Sequence, residues 1–210
     1  MRKGLILALA VICMVGISAV SFAQVSGSVH DLTTLAGVTE ICAVCHSPHD
    51  SGTNRAANGP LWNHDLSSLT FTMYSSDTAG AEATPSAPGG TSRLCLGCHD
   101  GVTALEAFGG GTGSTVVTGN KKIPNLNGTN GNLQGTHPIS IAYVASKTGL
   151  KSSPSTDLIG NAPIDSVLIN GNVECSTCHD VHDDPVEALG AYLLRADNAN
   201  SAMCLSCHIK

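Results

Sequence analysis

One pentapeptide pattern, Cys-x-x-Cys-His, recurs four times and contains nearly every cysteine of the chain. The four copies begin at Cys42, Cys95, Cys175 and Cys204. The chain has nine cysteines in 210 residues, and the ninth, Cys13, lies in an apolar N-terminal segment. With nine cysteines and nine histidines in the chain, chance would produce on the order of 0.02 such pentapeptides. The pattern is therefore a specific chemical signature, and the rest of the chain must fold around it.

The pentapeptide is the attachment signature of a c-type haem. Two thiols separated by two residues on a helical turn add across the two vinyl groups of one haem, and the next residue, histidine, becomes the proximal iron ligand. Structural disulfides would not place a histidine after every second cysteine, and zinc ribbons use two Cys-x-x-Cys halves per metal. The sequence therefore predicts four covalently bound haems c. The predicted thioether residues are Cys42, Cys45, Cys95, Cys98, Cys175, Cys178, Cys204 and Cys207. The predicted proximal ligands are His46, His99, His179 and His208.

The remaining histidines are candidates for the distal position on each iron. Five lie outside the motifs, so four irons are supplied with one histidine to spare. They are His30, His49, His64, His137 and His182. Methionine would raise the reduction potential relative to a second histidine, but beyond residue 23 the chain has only two methionines, and one of them adjoins a motif cysteine. Bis-histidine ligation at all four sites is the prediction.

Two of these candidates, His49 and His182, follow a proximal histidine by three residues. On a helical turn, residues three apart lie on the same face, with Cβ atoms about 5–6 Å apart. Neither ring would then reach the opposite side of its own haem, so each is expected to serve a different one. Two haems whose irons are bound by histidines of one short peptide would lie close together.

The other three candidates lie in different local settings. Pro138 biases His137 toward an extended backbone, which suits a ring projected from a loop onto a haem. His30, near the start of the mature chain, is placed to ligate the first haem or one in another subunit. His64 follows Trp62 closely and is the candidate left spare, as a solvated or packing histidine.

The N-terminal 23 residues read as a signal peptide. Two basic residues precede the apolar run, and Ser21-Phe22-Ala23 offers small residues at the cleavage-determining positions. The alternative is an uncleaved anchor, since residues 5–23 are just long enough to span a bilayer. Cleavage leaves eight basic and sixteen acidic residues, a net charge of −8. That balance argues against nucleic acid and against an anionic membrane surface as partners.

Composition indicates how the mature chain, 24–210, folds. It keeps six aromatic residues, although aromatic side chains normally supply much of a core's buried area. Stretches 79–90 and 109–135 are rich in Gly, Ser, Thr and Asn and read as loops. Short helices are predicted in 92–108 and near 185–195, and short strands in 139–146 and 165–170. The expected fold is one mostly irregular domain with short α-helices and few short strands, wrapped around a tetrahaem core.

Motifs along the whole mature chain resemble the paired-CxxCH class of multihaem c-type cytochromes. The string CAVCHSPHDSGTNRAANGPLWNH, followed by SRLCLGCHDGVTALE, GTHPIS, CSTCHDVHD and MCLSCH, is particularly similar to OmcE-type tetrahaem outer-surface cytochromes of metal-reducing bacteria. The resemblance implies four bis-histidine haems with His30, His49, His137 and His182 as the distal set. It also implies subunits that polymerise into filaments, in which one haem takes an axial histidine from the adjacent subunit.

The function predicted from these residues is electron transfer without substrate chemistry, so the protein is not expected to be an enzyme. In the leading hypothesis the chain is secreted through the periplasm to the cell surface. There it forms an extracellular conductive filament that links donor cytochromes to extracellular acceptors. A monomeric periplasmic electron carrier is the alternative. A multihaem reductase would need a haem with an exchangeable position and nearby acid–base groups. Because five candidate histidines are available for four irons, the sequence does not require such an open position.

Overall fold

The structure, a computed structural model, describes residues 25–49, 59, 61–76, 85–123, 125–127, 130–182 and 193–209. The predicted signal peptide, 1–23, lies outside the described residues, and so does most of the helix predicted near 185–195. None of the helices within the described ranges has both the length and the apolar character that a membrane crossing requires.

Regular secondary structure within the described residues is short and scattered. Five α-helices are present, of which only the second exceeds six residues. They are α1 (Thr33–Ala36), α2 (Gly90–His99), α3 (Ile164–Val167), α4 (Cys175–Cys178) and α5 (Ala202–Cys207). Two single-turn 3-10 helices cover Gly119–Lys121 and Ala199–Ser201. Most of the described chain is turn, bend or irregular backbone.

Within the part of the chain that the structure describes, seven short strands pair into three small sheets. The strands are β1 (Thr70–Thr72), β2 (Asn125–Asn127), β3 (Asn130–Asn132), β4 (Ile141–Ala142), β5 (Leu158–Ile159), β6 (Ala162–Pro163) and β7 (Asn172–Val173). The first sheet has the order β1-β3-β2, with β1 parallel and β2 antiparallel to β3. Strand β4 pairs with β7, and β5 pairs with β6, both antiparallel. Each sheet therefore pairs only a few backbone N–H and C=O groups.

The apolar core of the described residues is small. One cluster joins Met73, Leu96 and Leu133, with Phe71 and two isoleucines packed against it. Leu96 lies within the second pentapeptide, on α2, so this cluster anchors the helix that carries that motif. Most other buried side chains are isolated from this cluster, which fits a chain that depends on something other than its own side chains for an interior.

All four pentapeptides fold as a helical turn. In three copies the histidine N–H donates to the carbonyl of the first cysteine, at 2.8 Å from His46, 3.0 Å from His179 and 2.9 Å from His208. The second copy lies within α2, which ends at His99. The turn places both cysteine side chains and the histidine along one short stretch of backbone.

The predicted strand at 165–170 is wrong, because its first residues form helix α3. Pro163 precedes the helix and Asp165 occupies its first turn, which are favoured placements at a helix start. The Ser166 hydroxyl also donates to the Pro163 carbonyl at 2.7 Å. The favourable helix start therefore outweighs the β-branched residues that indicated a strand.

Two other predicted segments differ in extent. The helix expected within 92–108 begins at Gly90 and ends at His99, because the buried Asp100 carboxylate accepts the backbone N–H groups of Val102 and Thr103, each at 2.8 Å. The loop expected over 109–135 contains β2 and β3. Strand β1, more than fifty residues earlier in the chain, pairs with β3, and the segment's own periodicity cannot reveal that partner. In 139–146 only two residues, β4, are in a strand.

Candidate functional site

Three predicted proximal histidines each lie opposite a predicted distal histidine from a distant part of the chain. The ring centroids of His30 and His99 are 6.0 Å apart, those of His46 and His182 are 6.0 Å apart, and those of His137 and His208 are 6.3 Å apart. The planes of the first two pairs are inclined by 48° and 28°, and the third is edge-on at 70°.

These spacings suit two imidazoles on opposite sides of one metal ion. An imidazole nitrogen binds a metal at about 2.0 Å, and the ring centre lies about 1.15 Å behind that nitrogen, so trans rings have centres about 6.3 Å apart. The observed separations, 6.0–6.3 Å, are close to that value. The donor set and its spacing therefore fit a bis-histidine haem iron at each of the three pairs.

Hydrogen bonds on the far side of two rings set their tautomers. The Nδ1 of His99 lies 2.7 Å from the Lys121 carbonyl, and the Nδ1 of His137 lies 2.9 Å from the Pro138 carbonyl. A carbonyl only accepts, so each Nδ1 carries the proton and each Nε2 keeps a free lone pair. Ligating histidines commonly donate their second N–H in this way.

His30 is half-buried beside His99. Burial, followed by the nearby His99, His179 and Lys121, lowers the pKa of His30 to about 4. The ring is therefore neutral at physiological pH, which is the form that binds a metal. Among the described side chains, two nitrogen atoms, His30 Nδ1 and Trp62 Nε1, are buried without a hydrogen-bond partner. Buried polar atoms are normally paired, so the absence of partners here fits a site that is completed by a bound group.

His64, the candidate left spare, is a structural residue in this fold. Its side chain is buried, with 1% of its surface exposed. Its Nδ1 lies 2.8 Å from the Asp65 carbonyl and its Nε2 lies 3.1 Å from the Ala104 carbonyl. Both ring nitrogens therefore face backbone acceptors, and neither is directed at another histidine.

The eight motif cysteines are all described, and none forms a disulfide. Burial raises the pKa of the second cysteine of all four motifs, to about 12 at Cys98 and about 11 at Cys178, with the same direction at Cys45 and Cys207. These four side chains are half-buried next to the histidines of their motifs. Pairs of thiols with a following histidine are the donors that covalent haem attachment requires.

In three motifs, the residues on either side of the proximal histidine make the same pair of backbone hydrogen bonds to another segment. At the first motif, Asn63 N–H donates to Cys45 O and Ser47 N–H donates to Leu61 O, both at 2.8 Å. The third and fourth motifs make the same pair of bonds with residues 193–195 and 149–151 respectively, at 2.8–2.9 Å. A later or earlier segment thus fixes the direction in which each histidine leaves the backbone.

The first and third motifs are equivalent parts of an internal repeat that the sequence prediction missed. Each is Cys-x-x-Cys-His-x-x-His, and each is followed, 53 or 29 residues after its start, by a Cys-Leu-x-Cys-His copy. The structure matches them further, because Leu61 and Leu193 accept the equivalent hydrogen bonds and share a positive φ, 52° and 50°. The shared His-x-x-His and Cys-Leu spacing was the signal available in the sequence.

Two predicted ligands lie outside the three ring pairs. His49 is exposed and ends the described segment that holds the first motif. His179 follows α4 and forms a β-bridge with Leu194. It lies close enough to His30 to contribute to the lowered pKa of that ring, which brings the second and third motifs close together.

Comparison with known proteins bears on the last two motifs. Residues 169–210 match a family described as "Doubled CXXCH motif", and this region spans the third and fourth pentapeptides. A search of curated proteins gave no match. The CXXCH motifs imply covalently bound c-type haem and electron transfer, and the doubled motif supports a multihaem c-type cytochrome.

Proposed function

We propose that this protein transfers electrons through four covalently bound haems c, each with two histidine ligands, and that it catalyses no reaction of its own. The observation that carries the proposal is the set of three histidine ring pairs with centroids 6.0–6.3 Å apart. Each pair joins a proximal histidine of a pentapeptide to a histidine from another part of the chain.

The internal repeat completes the ligand set. His182, from the third motif, lies opposite His46 of the first. By the equivalence of the two motifs, His49 of the first would lie opposite His179 of the third. The distal set is then His30, His49, His137 and His182, with His64 excluded because carbonyls occupy both its nitrogens. In a polymer, one of these rings would come from the adjacent subunit.

Bound haem supplies an iron that cycles between ferrous and ferric states, with a potential set by axial ligands, burial and hydrogen bonding. The chain's part is to fill both axial positions, so no site remains for a substrate. The hydrogen bonds at His99 and His137 hold the rings in the tautomer that ligates. Electron exchange is the chemistry that such a ligand set leaves.

The assembly belongs to the same proposal. Its support is the resemblance of the mature motifs to OmcE-type cytochromes, and the exported character of residues 1–23. The chain would be secreted through the periplasm and polymerise at the cell surface into a conductive filament. Donor cytochromes would reduce it, and extracellular acceptors would oxidise it.

The test is electron microscopy of the protein from its native host, combined with size-exclusion chromatography that follows haem absorbance. Filaments that carry the haem absorbance are expected. A uniform particle near 21 kDa (about 19 kDa of mature chain plus four haems of about 0.6 kDa each) would overturn polymerisation and leave a periplasmic carrier. Carbon monoxide binding by the reduced native protein would contradict full bis-histidine ligation and favour a reductase.

A further inference from the structure

A carboxylate that none of the haem ligands requires is buried between the second and third attachment segments. Glu174 directly precedes Cys175, and only 2% of its surface is exposed. Its Oε2 accepts a hydrogen bond from the Ser140 hydroxyl at 2.9 Å. The same hydroxyl oxygen accepts the Gly89 N–H at 2.8 Å. Ser140 therefore connects the carboxylate to the start of α2.

Gly90 makes room for this carboxylate at the first turn of α2. Its φ is +43°, and a Cβ added there would lie 2.7 Å from Glu174 Oε1. The N-terminal end of a helix carries a partial positive charge that favours an anion. Helix α2 spans ten residues and carries Cys95 and Cys98. The carboxylate is thus seated at the positive end of the helix that bears the second pair of attachment cysteines.

The second and third segments are tightly joined around it. The Cys175 N–H donates to Ser92 Oγ at 3.0 Å, and the hydroxyls of Thr91 and Ser176 are 2.6 Å apart. Cys175 lies close enough to Cys95 to raise the pKa of that thiol. The first cysteines of the two motifs therefore lie close together beside the buried carboxylate.

Glu174 directly precedes Cys175, so its carboxylate lies near the attachment position of the third motif. The repeat does not require an acid here, since the equivalent residue before the first motif is Ile41. Burying a carboxylate costs free energy even when it is hydrogen-bonded, and here the carboxylate also accepts the Thr177 N–H at the start of α4.

We propose that Glu174 is a fixed negative charge that lowers the reduction potentials of the two haems attached to the second and third motifs. The sign follows from charge, because a nearby anion stabilises the ferric iron over the ferrous iron, which carries one positive charge less. Those two haems would then be the last to be reduced. This inference rests on the proposed function, since it assumes haems at both motifs.

The test is a potentiometric titration of the holoprotein carrying Glu174→Gln, followed by visible absorbance. Glutamine keeps the shape and a group that accepts from Ser140. Two of the four midpoint potentials are expected to rise and two to stay in place. Glu106→Gln, which removes a half-buried carboxylate that accepts hydrogen bonds from Thr115, is expected to leave all four potentials unchanged.

Haem content and low-spin spectra are recorded first for every variant. Four low-spin haems with no shift in Glu174→Gln would overturn this inference alone, and so would an equal shift in Glu106→Gln. Fewer than four haems, or a high-spin haem in the unsubstituted protein, would instead contradict the proposed function. Should Glu174→Gln fail to mature, Glu174→Asp keeps the charge, and its potentials are expected to match the unsubstituted protein.

Discussion

At the scale of single residues, the histidine that follows the third motif lies near the proximal histidine of the first. The His182 and His46 rings have planes inclined by only 28°. The sequence predicts that a ring three residues after a proximal histidine acts elsewhere, since both leave the same face of a turn. It did not indicate which partner, because the two residues are more than half the chain apart.

Replacing His182 by alanine is expected to open one axial position. In the proposed ligand set the first haem loses its distal ring, so the reduced protein should bind about one carbon monoxide molecule per four haems. Absorbance difference spectra with and without carbon monoxide measure this. Unchanged spectra with no carbon monoxide bound would show that His182 is not a ligand.

His64→Gln is the control for that substitution. Both nitrogens of His64 face carbonyl oxygens, so the variant should keep all haems low-spin. It should nevertheless lower the free energy of unfolding by about 1–3 kcal/mol, because a buried hydrogen-bonded ring is lost. Carbon monoxide binding by His64→Gln would place this residue among the ligands.

At the scale of elements, the four pentapeptide helices differ at the second variable position of the motif. The residue before the second cysteine is Val44, Gly97, Thr177 or Ser206 in the four copies. A Cβ at Gly97 would lie 2.5 Å from the Asp65 carbonyl oxygen. Helix α2 therefore touches the backbone of the segment that follows the first motif, and only glycine permits this approach.

Gly97→Ala is accordingly expected to lower the free energy of unfolding by about 1–3 kcal/mol, since backbone must move to admit a methyl group. Chemical denaturation of the holoprotein, followed by the haem absorbance, measures the change. Ser206→Ala at the equivalent, half-exposed position should stay within about 0.5 kcal/mol. Equal stability of both variants would contradict the close approach.

Arg195 fastens the third motif through two groups. Its Nε donates to the Ser176 carbonyl at 2.9 Å, and its Nη1 lies 2.7 Å from Asp180 Oδ2. Lysine cannot make both contacts, so Arg195→Lys should lower the free energy of unfolding by about 1 kcal/mol. The exposed Arg93 provides the comparison, and Arg93→Lys should change stability by less than about 0.5 kcal/mol. The reverse order in denaturation experiments would disprove the role of Arg195.

The motif helices could be predicted because the chemistry of attachment demands a turn. The strand expected at 165–170 is replaced by a helix, since Pro163 and Asp165 favour a helix start there. Sheet β1-β3-β2 escaped prediction for another reason. Its strands are three residues long, too short for periodicity, and one partner comes from far away in the sequence.

At the scale of the whole molecule, the described residues bury few hydrophobic side chains. Eleven are buried, and only a small cluster around Leu96 and Leu133 is contiguous. The sequence predicted this shortage from its lack of aromatic residues. It could not predict the contacts between segments, because backbone bridges and histidine pairs between distant segments leave no local pattern.

A haem-free chain is therefore expected to lack a cooperative unfolding transition. The variant with all eight motif cysteines changed to alanine prevents covalent attachment, and too little apolar surface remains to offset the conformational entropy of the chain. Calorimetry and near-ultraviolet circular dichroism of this variant and of the holoprotein measure the difference. A sharp calorimetric peak from the haem-free chain would show that the polypeptide has a sufficient core of its own.

In the proposed ligand set, the pairing of His46 with His182 would also set an order of maturation. If the chain is exported N-terminus first, His30 would already be outside when His99 emerges, so the second site would have both rings as soon as its motif appears. The first site would wait until His182 crosses, and the fourth until the last residues arrive. The earliest attachment site to leave the cell interior would thus be completed only after the second, and it would stay half-ligated through most of translocation.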